Sequence, residues 1–143
     1  MVEGLINGWF NAVQPWNLLM IFSGTVLGII FGSMPGLTAT MGLALLVPFT
    51  YGMDPAAGLL MLAGIYVGAM YADAIPAILI NTPGTPAAIA TTFDGFPLAQ
   101  KGMAQQALVT AAFASFVGSV IANLVLSTSA EPLAEFSLKF GPP

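Results

Sequence analysis

The sequence predicts an all-α, polytopic transmembrane protein with discontinuous helices, and three observations carry that prediction. Of its 143 residues, 57% are hydrophobic and only 6% are charged, against about a quarter charged in a soluble domain. Residues 4–53 and 102–130 carry no charge at all. A span needs roughly 20 apolar residues at about 1.5 Å each, so the chain can cross a bilayer several times. The third observation is that Pro and Gly interrupt this apolar sequence at Pro35-Gly36 and at Asn81-Thr82-Pro83-Gly84-Thr85-Pro86. Proline removes a backbone donor and crowds the turn before it. In hydrocarbon the freed groups need a partner, so such a break must be buried in protein or line a wet cavity.

The elements follow in order. Residues 4–14 form a short amphipathic entry, and Pro15 opens a helix at the position where its missing N–H costs nothing. Trp9 and Trp16 fit an interfacial aromatic belt, or pack on neighbouring helices. The first span covers 16–31, and Gly24, Gly28 and Gly32 lie four apart on it, which lets another helix approach closely. After the break at 34–40, a half-helix over 41–49 is stopped by Pro48 and the turn 52–55. Asp54 is placed as an N-cap, with Pro55 in the first helical position. A second span covers 56–71, followed by Asp73, Pro76, a short apolar piece at 77–80 and the break at 81–86. Residues 87–92 start a helix of small residues, and Asp94-Gly95-Phe96-Pro97 reads as a turn leaving the membrane. Residues 98–106 are the most polar segment and contain Lys101; a long span then covers 107–126. Glu131-Pro132 is expected to open a short amphipathic helix ending near Lys139, and 140–143 read as a loop leading onward, as in the N-terminal part (1–143) of a longer transporter membrane domain. Lys101 and Lys139 are the only basic residues, and one span separates them, so the positive-inside rule sets no orientation.

Composition excludes several chemistries. Without cysteine there is no disulfide framework and no thiolate metal site. Without histidine the commonest general base and neutral metal ligand are missing. No close pair of carboxylates shares a loop for acid–base work, and a serine such as Ser33 has no visible base, so no enzyme is expected. Nothing basic points to nucleic acid. The first residues do not read as a signal peptide, because the nearest charge is Glu3 and no positive n-region precedes the apolar run.

The two breaks, one starting at Pro35 and the other at Pro83, both read Pro-Gly-x-x-Ala, and each precedes a half-helix. A helix start exposes N–H groups without intrahelical partners, and its dipole adds partial positive charge. Glycine admits a ligand close to the backbone. Together these features make an anion site without a basic side chain, and the chain has no arginine to clamp a carboxylate. The candidate substrate-binding residues are Gly36, Thr38 and Thr40 in the first break, and Asn81, Thr82, Gly84 and Thr85 in the second. Each helix terminus contributes roughly 0.3–1 kcal/mol at exposed sites, so several must act together. Such breaks also occur as plain kinks, with Ser or Thr satisfying the backbone. Asp73 is a second candidate: an ionisable residue near a span is a functional hypothesis by default, here for ion coupling, with helix capping as the alternative. Asp94 reads as a solvated turn residue.

These same residues resemble the large membrane subunit of the tripartite tricarboxylate transporter family. The matching segments are Pro35-Gly-Leu-Thr-Ala-Thr-Met-Gly-Leu-Ala-Leu-Leu-Val-Pro-Phe-Thr50, Ala77-Ile-Leu-Ile-Asn-Thr-Pro-Gly-Thr-Pro86 and Asp94-Gly-Phe-Pro-Leu-Ala-Gln-Lys-Gly102, in matching order and spacing over nearly the whole chain. The resemblance implies a secondary transporter of the bacterial inner membrane that imports carboxylates such as citrate, driven by an ion gradient. It implies a periplasmic solute-binding protein and a small membrane subunit as partners, no cofactor, and Na+ or H+ as coupling ion. It also implies a protein several times longer than this chain, which would then hold one repeat of an inverted-repeat transporter. Where the family is expected to carry a Gly-Gly-Ser-like stretch, this chain reads Tyr71-Ala-Asp-Ala-Ile-Pro76. That departure bears on the substrate or the coupling ion. The competing readings are a structural subunit, whose small residues only pack helices, and a channel, whose rates would not saturate.

Overall fold

The computed structural model describes residues 2–138. Among them there are seven helices and no strand: α1 (Val2–Ala12), α2 (Pro15–Ser33), α3 (Ala39–Thr50), α4 (Pro55–Ala72), α5 (Ala74–Ile80), α6 (Pro86–Gln100) and α7 (Ala104–Leu138). Three stretches are long and apolar enough to cross a membrane: Pro15–Ser33, Pro55–Ile80 and Ala104–Ala130. The chain divides into two compact units, 1–108 and 109–143.

The first unit is organised by α2 against α4. A Cβ on Gly24, Gly28 or Gly32 would collide with the backbone carbonyl of Met61, Ile65 or Ala69 respectively. From the other side, Gly64 and Gly68 abut the carbonyls of Ile21 and Thr25. Contact positions advance together along both helices, so α2 and α4 run parallel. Lipid tails are as apolar as leucine, so close backbone approach, rather than hydrophobic burial, is what holds such a pair. Thr25 returns its hydroxyl to the Ile21 carbonyl at 2.8 Å, which leaves no unpaired donor in the seam. Asn17, buried at the start of α2, donates to the Asn11 carbonyl at 2.8 Å and ties α1 to α2.

Two parallel spans need a return leg between them, and α3 supplies it. Its 12 residues cover about 18 Å, less than the roughly 30 Å of a bilayer core. Pro48 does not stop α3 as expected; the helix runs two residues further, to Thr50, which returns its hydroxyl to the Val47 carbonyl at 2.8 Å. Asp54 caps α4 as expected, accepting from Ala56 N–H at 3.1 Å and Ala57 N–H at 3.4 Å. Asp54→Ala is therefore expected to destabilise the first unit by about 1 kcal/mol, read as a lower midpoint in thermal unfolding of the detergent-purified protein.

Pro76 explains why α4 stops at Ala72. It cannot donate to the Ala72 carbonyl, and its ring crowds that group. The chain passes through Asp73 at φ −60°, ψ −25° and resumes as α5. The break ends α5 in turn. Asn81 adopts the left-handed conformation at φ 57°, and the Pro76 carbonyl accepts from the N–H groups of Asn81 and Thr82.

Two sequence expectations fail here. Residues 94–97 are not a turn: α6 continues through them to Gln100. Gly95 serves packing instead, since a Cβ there would lie 2.7 Å from Cγ1 of Ile78 on α5. The real stop is Gly102, at φ +80°, whose N–H donates to the Ala99 carbonyl at 3.0 Å. Nor does Glu131-Pro132 open a new helix, because α7 runs through Pro132 to Leu138 and loses only the bond that Pro132 cannot donate. The expected helix end near Lys139 and the loop at 140–143 lie outside the described residues.

The second unit, taken by itself, is the continuation of α7 from Val109. Phe113, Ile121, Val125 and Leu126 are exposed on different sides of it, as on a helix made for apolar surroundings. Ser127, Thr128 and Ser129 all return their hydroxyls to carbonyls one turn back.

Candidate functional site

The two Pro-Gly breaks share a motif but not a backbone geometry. In the first, the Leu37 N–H donates to the Met34 carbonyl at 3.1 Å, with Pro35 and Gly36 between them. Gly36 has φ +89°, which is the type II turn position that requires glycine. Thr38 then caps α3, its hydroxyl accepting from Met41 N–H at 3.3 Å. In the second break, Thr85 caps α6, accepting from Ala88 N–H at 3.4 Å, and Pro86 takes the first helical position. Gly84 has no left-handed φ; it is glycine for space.

That space is filled by Asp73. The Gly84 N–H donates to Asp73 Oδ1 at 2.7 Å, and the Thr85 hydroxyl donates to Asp73 Oδ2. A Cβ on Gly84 would lie 2.5 Å from Oδ1 and 3.8 Å from the Leu37 carbonyl oxygen. The two breaks therefore meet, and Asp73 sits where they do. It is 4% exposed, and its side chain makes no cap bond to its own helix. The capping alternative is thus not what this carboxylate does: it reaches past the whole of α5 to hold the start of α6. Among the described residues no basic side chain pairs with it. Its surroundings are two donors at the start of α6, whose aligned peptide dipoles present partial positive charge, with the Leu37 carbonyl oxygen on the far side of Gly84.

The predicted residues fall into two groups. Gly84, Thr85 and Asp73 are in contact, with the Leu37 carbonyl beside Gly84, while Thr38 caps α3. Asn81 and Thr82 lie at the far end of α5, about 10 Å along its axis, and both are exposed. Thr82 returns its hydroxyl to the Ile80 carbonyl at 3.1 Å. No side-chain hydrogen bond among the described residues engages the Asn81 amide. Thr40, on the first turn of α3, is exposed, and a Cβ at Gly36 would meet open space. The arrangement offers an anion the starts of two short helices, free hydroxyl or amide groups at Thr40 and Asn81, and two donors already occupied by an internal carboxylate. Among the described residues no group of three or more acidic side chains could hold a metal ion.

Sequence reading did not find the pairing of Asp73 with Gly84 and Thr85. Its signal was indirect: an acid before a proline, and a glycine and a threonine at a break. Helical periodicity relates positions on one element, and it carries nothing from Asp73 across α5 to a different helix start.

Comparison with known proteins follows the same lines. Residues 18–143 match the model of the tripartite tricarboxylate transporter TctA family. A relative from Agrobacterium vitis, described as an uncharacterized 52.8 kDa protein in the TAR-I ttuC' 3' region, is 43% identical over 143 residues, which is all of this chain and 28% of that protein. No solved structure matches.

Proposed function

Because this chain belongs to the tripartite tricarboxylate transporter TctA family, we propose that it forms part of a carrier that imports tricarboxylates or related carboxylates across the bacterial inner membrane. In this reading a periplasmic binding protein delivers the substrate, a small membrane subunit completes the complex, and an ion gradient drives uptake. Citrate represents the substrate class. The chain supplies one repeat of the carrier, and its two broken helices supply the substrate-facing groups.

The observation that supports this most is the meeting of the two breaks, where the Gly84 Cβ position comes within 3.8 Å of the Leu37 carbonyl. Plain kinks in separate helices have no reason to converge. Two convergent helix starts suit an anion that must be released again, because each holds it only weakly. Carbonyls left without a donor by proline, such as that of Ala72 at the α4–α5 junction, can serve a sodium ion. An uptake rate independent of sodium would remove that role and leave H+ as the coupling ion.

Asn81→Gly tests the reading. Glycine takes up the left-handed backbone of this position without strain, so the fold keeps its break and only the amide is lost. Labelled citrate uptake by cells carrying the complete transporter is expected to fall about tenfold or more, the scale of a lost hydrogen bond to a charged group, with unchanged protein in the membrane. Unchanged uptake counts against Asn81 as a ligand, and non-saturating uptake independent of the binding protein would favour a channel.

A further inference from the structure

The donors that a substrate carboxylate needs at the start of α6 are already bound to a carboxylate of the protein itself. Asp73 is buried, lacks a cationic partner among the described residues, and accepts from the Gly84 N–H and the Thr85 hydroxyl. Those are two of the groups expected to hold the substrate. The fit is tight, since there is no room for even a methyl group between Gly84 and Oδ1. A second carboxylate cannot take these donors while Asp73 keeps them.

We propose that Asp73 is a built-in competitor of the substrate: its carboxylate occupies the α6 anion site in the resting transporter, and substrate binds by displacing it. This rests on the carboxylate-transport reading above, and it gives Asp73 a role different from binding a coupling ion. When Asp73 occupies the donors, it ties the junction between α4 and α5 to the start of α6 and holds the 81–85 break against α5. When the substrate replaces it, the break is released from that tether. The same exchange in reverse expels the substrate, because a tethered carboxylate is always at hand. Affinity is lowered and turnover is favoured. Asp73 also becomes a specificity residue, because a substrate must offer a carboxylate, or a group of equal acceptor strength, to take its place.

The test compares wild-type transporter with Asp73→Asn in two measurements: citrate uptake kinetics, and hydrogen exchange of the peptide covering 81–86 in the purified complex. Asparagine keeps the size and one carbonyl acceptor but loses the charge. Hydrogen bonds to charged groups are stronger than neutral ones by about 1–1.5 kcal/mol, which is roughly a five- to tenfold change in competition. The KM for citrate is expected to fall by about that factor. Without citrate the Gly84 amide is expected to exchange about five- to tenfold faster than in wild type, and citrate is expected to restore its protection.

A KM that is unchanged or raised in Asp73→Asn, with wild-type uptake intact, overturns the proposal and leaves the transport reading standing. So does abolished uptake with unaltered exchange, which would make Asp73 an ion ligand. If the wild type takes up no carboxylate, the transport reading fails, and unaltered exchange in the variant then removes the Asp73 contact as well. Should Asp73→Asn fail to accumulate, Gly84→Ala displaces the carboxylate from the opposite side. Faster exchange over 81–85 is expected there, and exchange equal to wild type overturns the proposal.

Discussion

Gly28→Val is expected to remove most folded protein from the membrane. At this position a Cβ meets the Ile65 carbonyl and the Ala69 N–H, both backbone atoms of α4. A flexible side chain can swing away from a new methyl group, but a helix backbone cannot. The two helices would have to separate along the whole seam, and Gly24, Gly32, Gly64 and Gly68 would lose their contacts together. Overpacking of a core typically costs about 1–3 kcal/mol, and a rigid obstacle puts this case at the upper end. Against a total stability of roughly 5–15 kcal/mol, that loss is expected to show as a low membrane level and a lowered unfolding midpoint. Gly8→Ala is the control. Nothing lies within 4 Å of its Cβ position, and alanine favours a helix interior by about 0.5–1 kcal/mol. Equal membrane levels of wild type and Gly28→Val would mean that the parallel α2–α4 seam is not what holds the unit together.

Thr85→Val is expected to have the largest effect on transport. Valine preserves shape and deletes the hydroxyl, which caps α6 and donates to Asp73. Loss of the cap costs about 1 kcal/mol. An acceptor of a buried carboxylate left without its donor costs about 1–3 kcal/mol more. The substrate carboxylate and Asp73 lose the same donor, so these two losses offset in their exchange, and what remains is the weakened start of α6: uptake per transporter is expected to fall about tenfold with little change in the KM for citrate. The contrast is informative, because Asp73→Asn is expected to lower that KM. A purely structural role for both residues would move the two variants together, with protein level falling and KM unchanged.

Much of the fold was legible because the signals are local. Prolines at 15, 55 and 86 sit at helix starts, Asp54 caps, and small residues four apart marked the α2 seam. Each of those signals acts within one turn of the helix it controls. The failures share a physical cause too. Gly95 followed by Pro97 reads as a turn, yet the glycine makes room for Ile78, and α6 continues through the proline with the loss of the one bond that Pro97 cannot donate to the Phe93 carbonyl. Likewise Pro-Gly-x-x-Ala describes two breaks whose glycines do different things. Gly36 supplies a left-handed turn, and Gly84 supplies an empty space beside a carboxylate. The site was legible as a set of residue types at two breaks. Its assembly was not, because the link from Asp73 to Gly84 and Thr85 depends on how the 81–85 segment folds back along α5.

Substrate protection of a single cysteine tests the central claim most directly. This chain contains no cysteine, so Asn81→Cys introduces one thiol at the exposed tip of the second break, and Gln105→Cys places another at the exposed, polar start of α7 as reference. The assembled transporter is treated with a water-soluble maleimide with and without citrate. If the breaks face the substrate, citrate slows modification at position 81 and leaves position 105 unchanged. Modification at 81 that no transported carboxylate slows, in a transporter still taking that carboxylate up, contradicts the account.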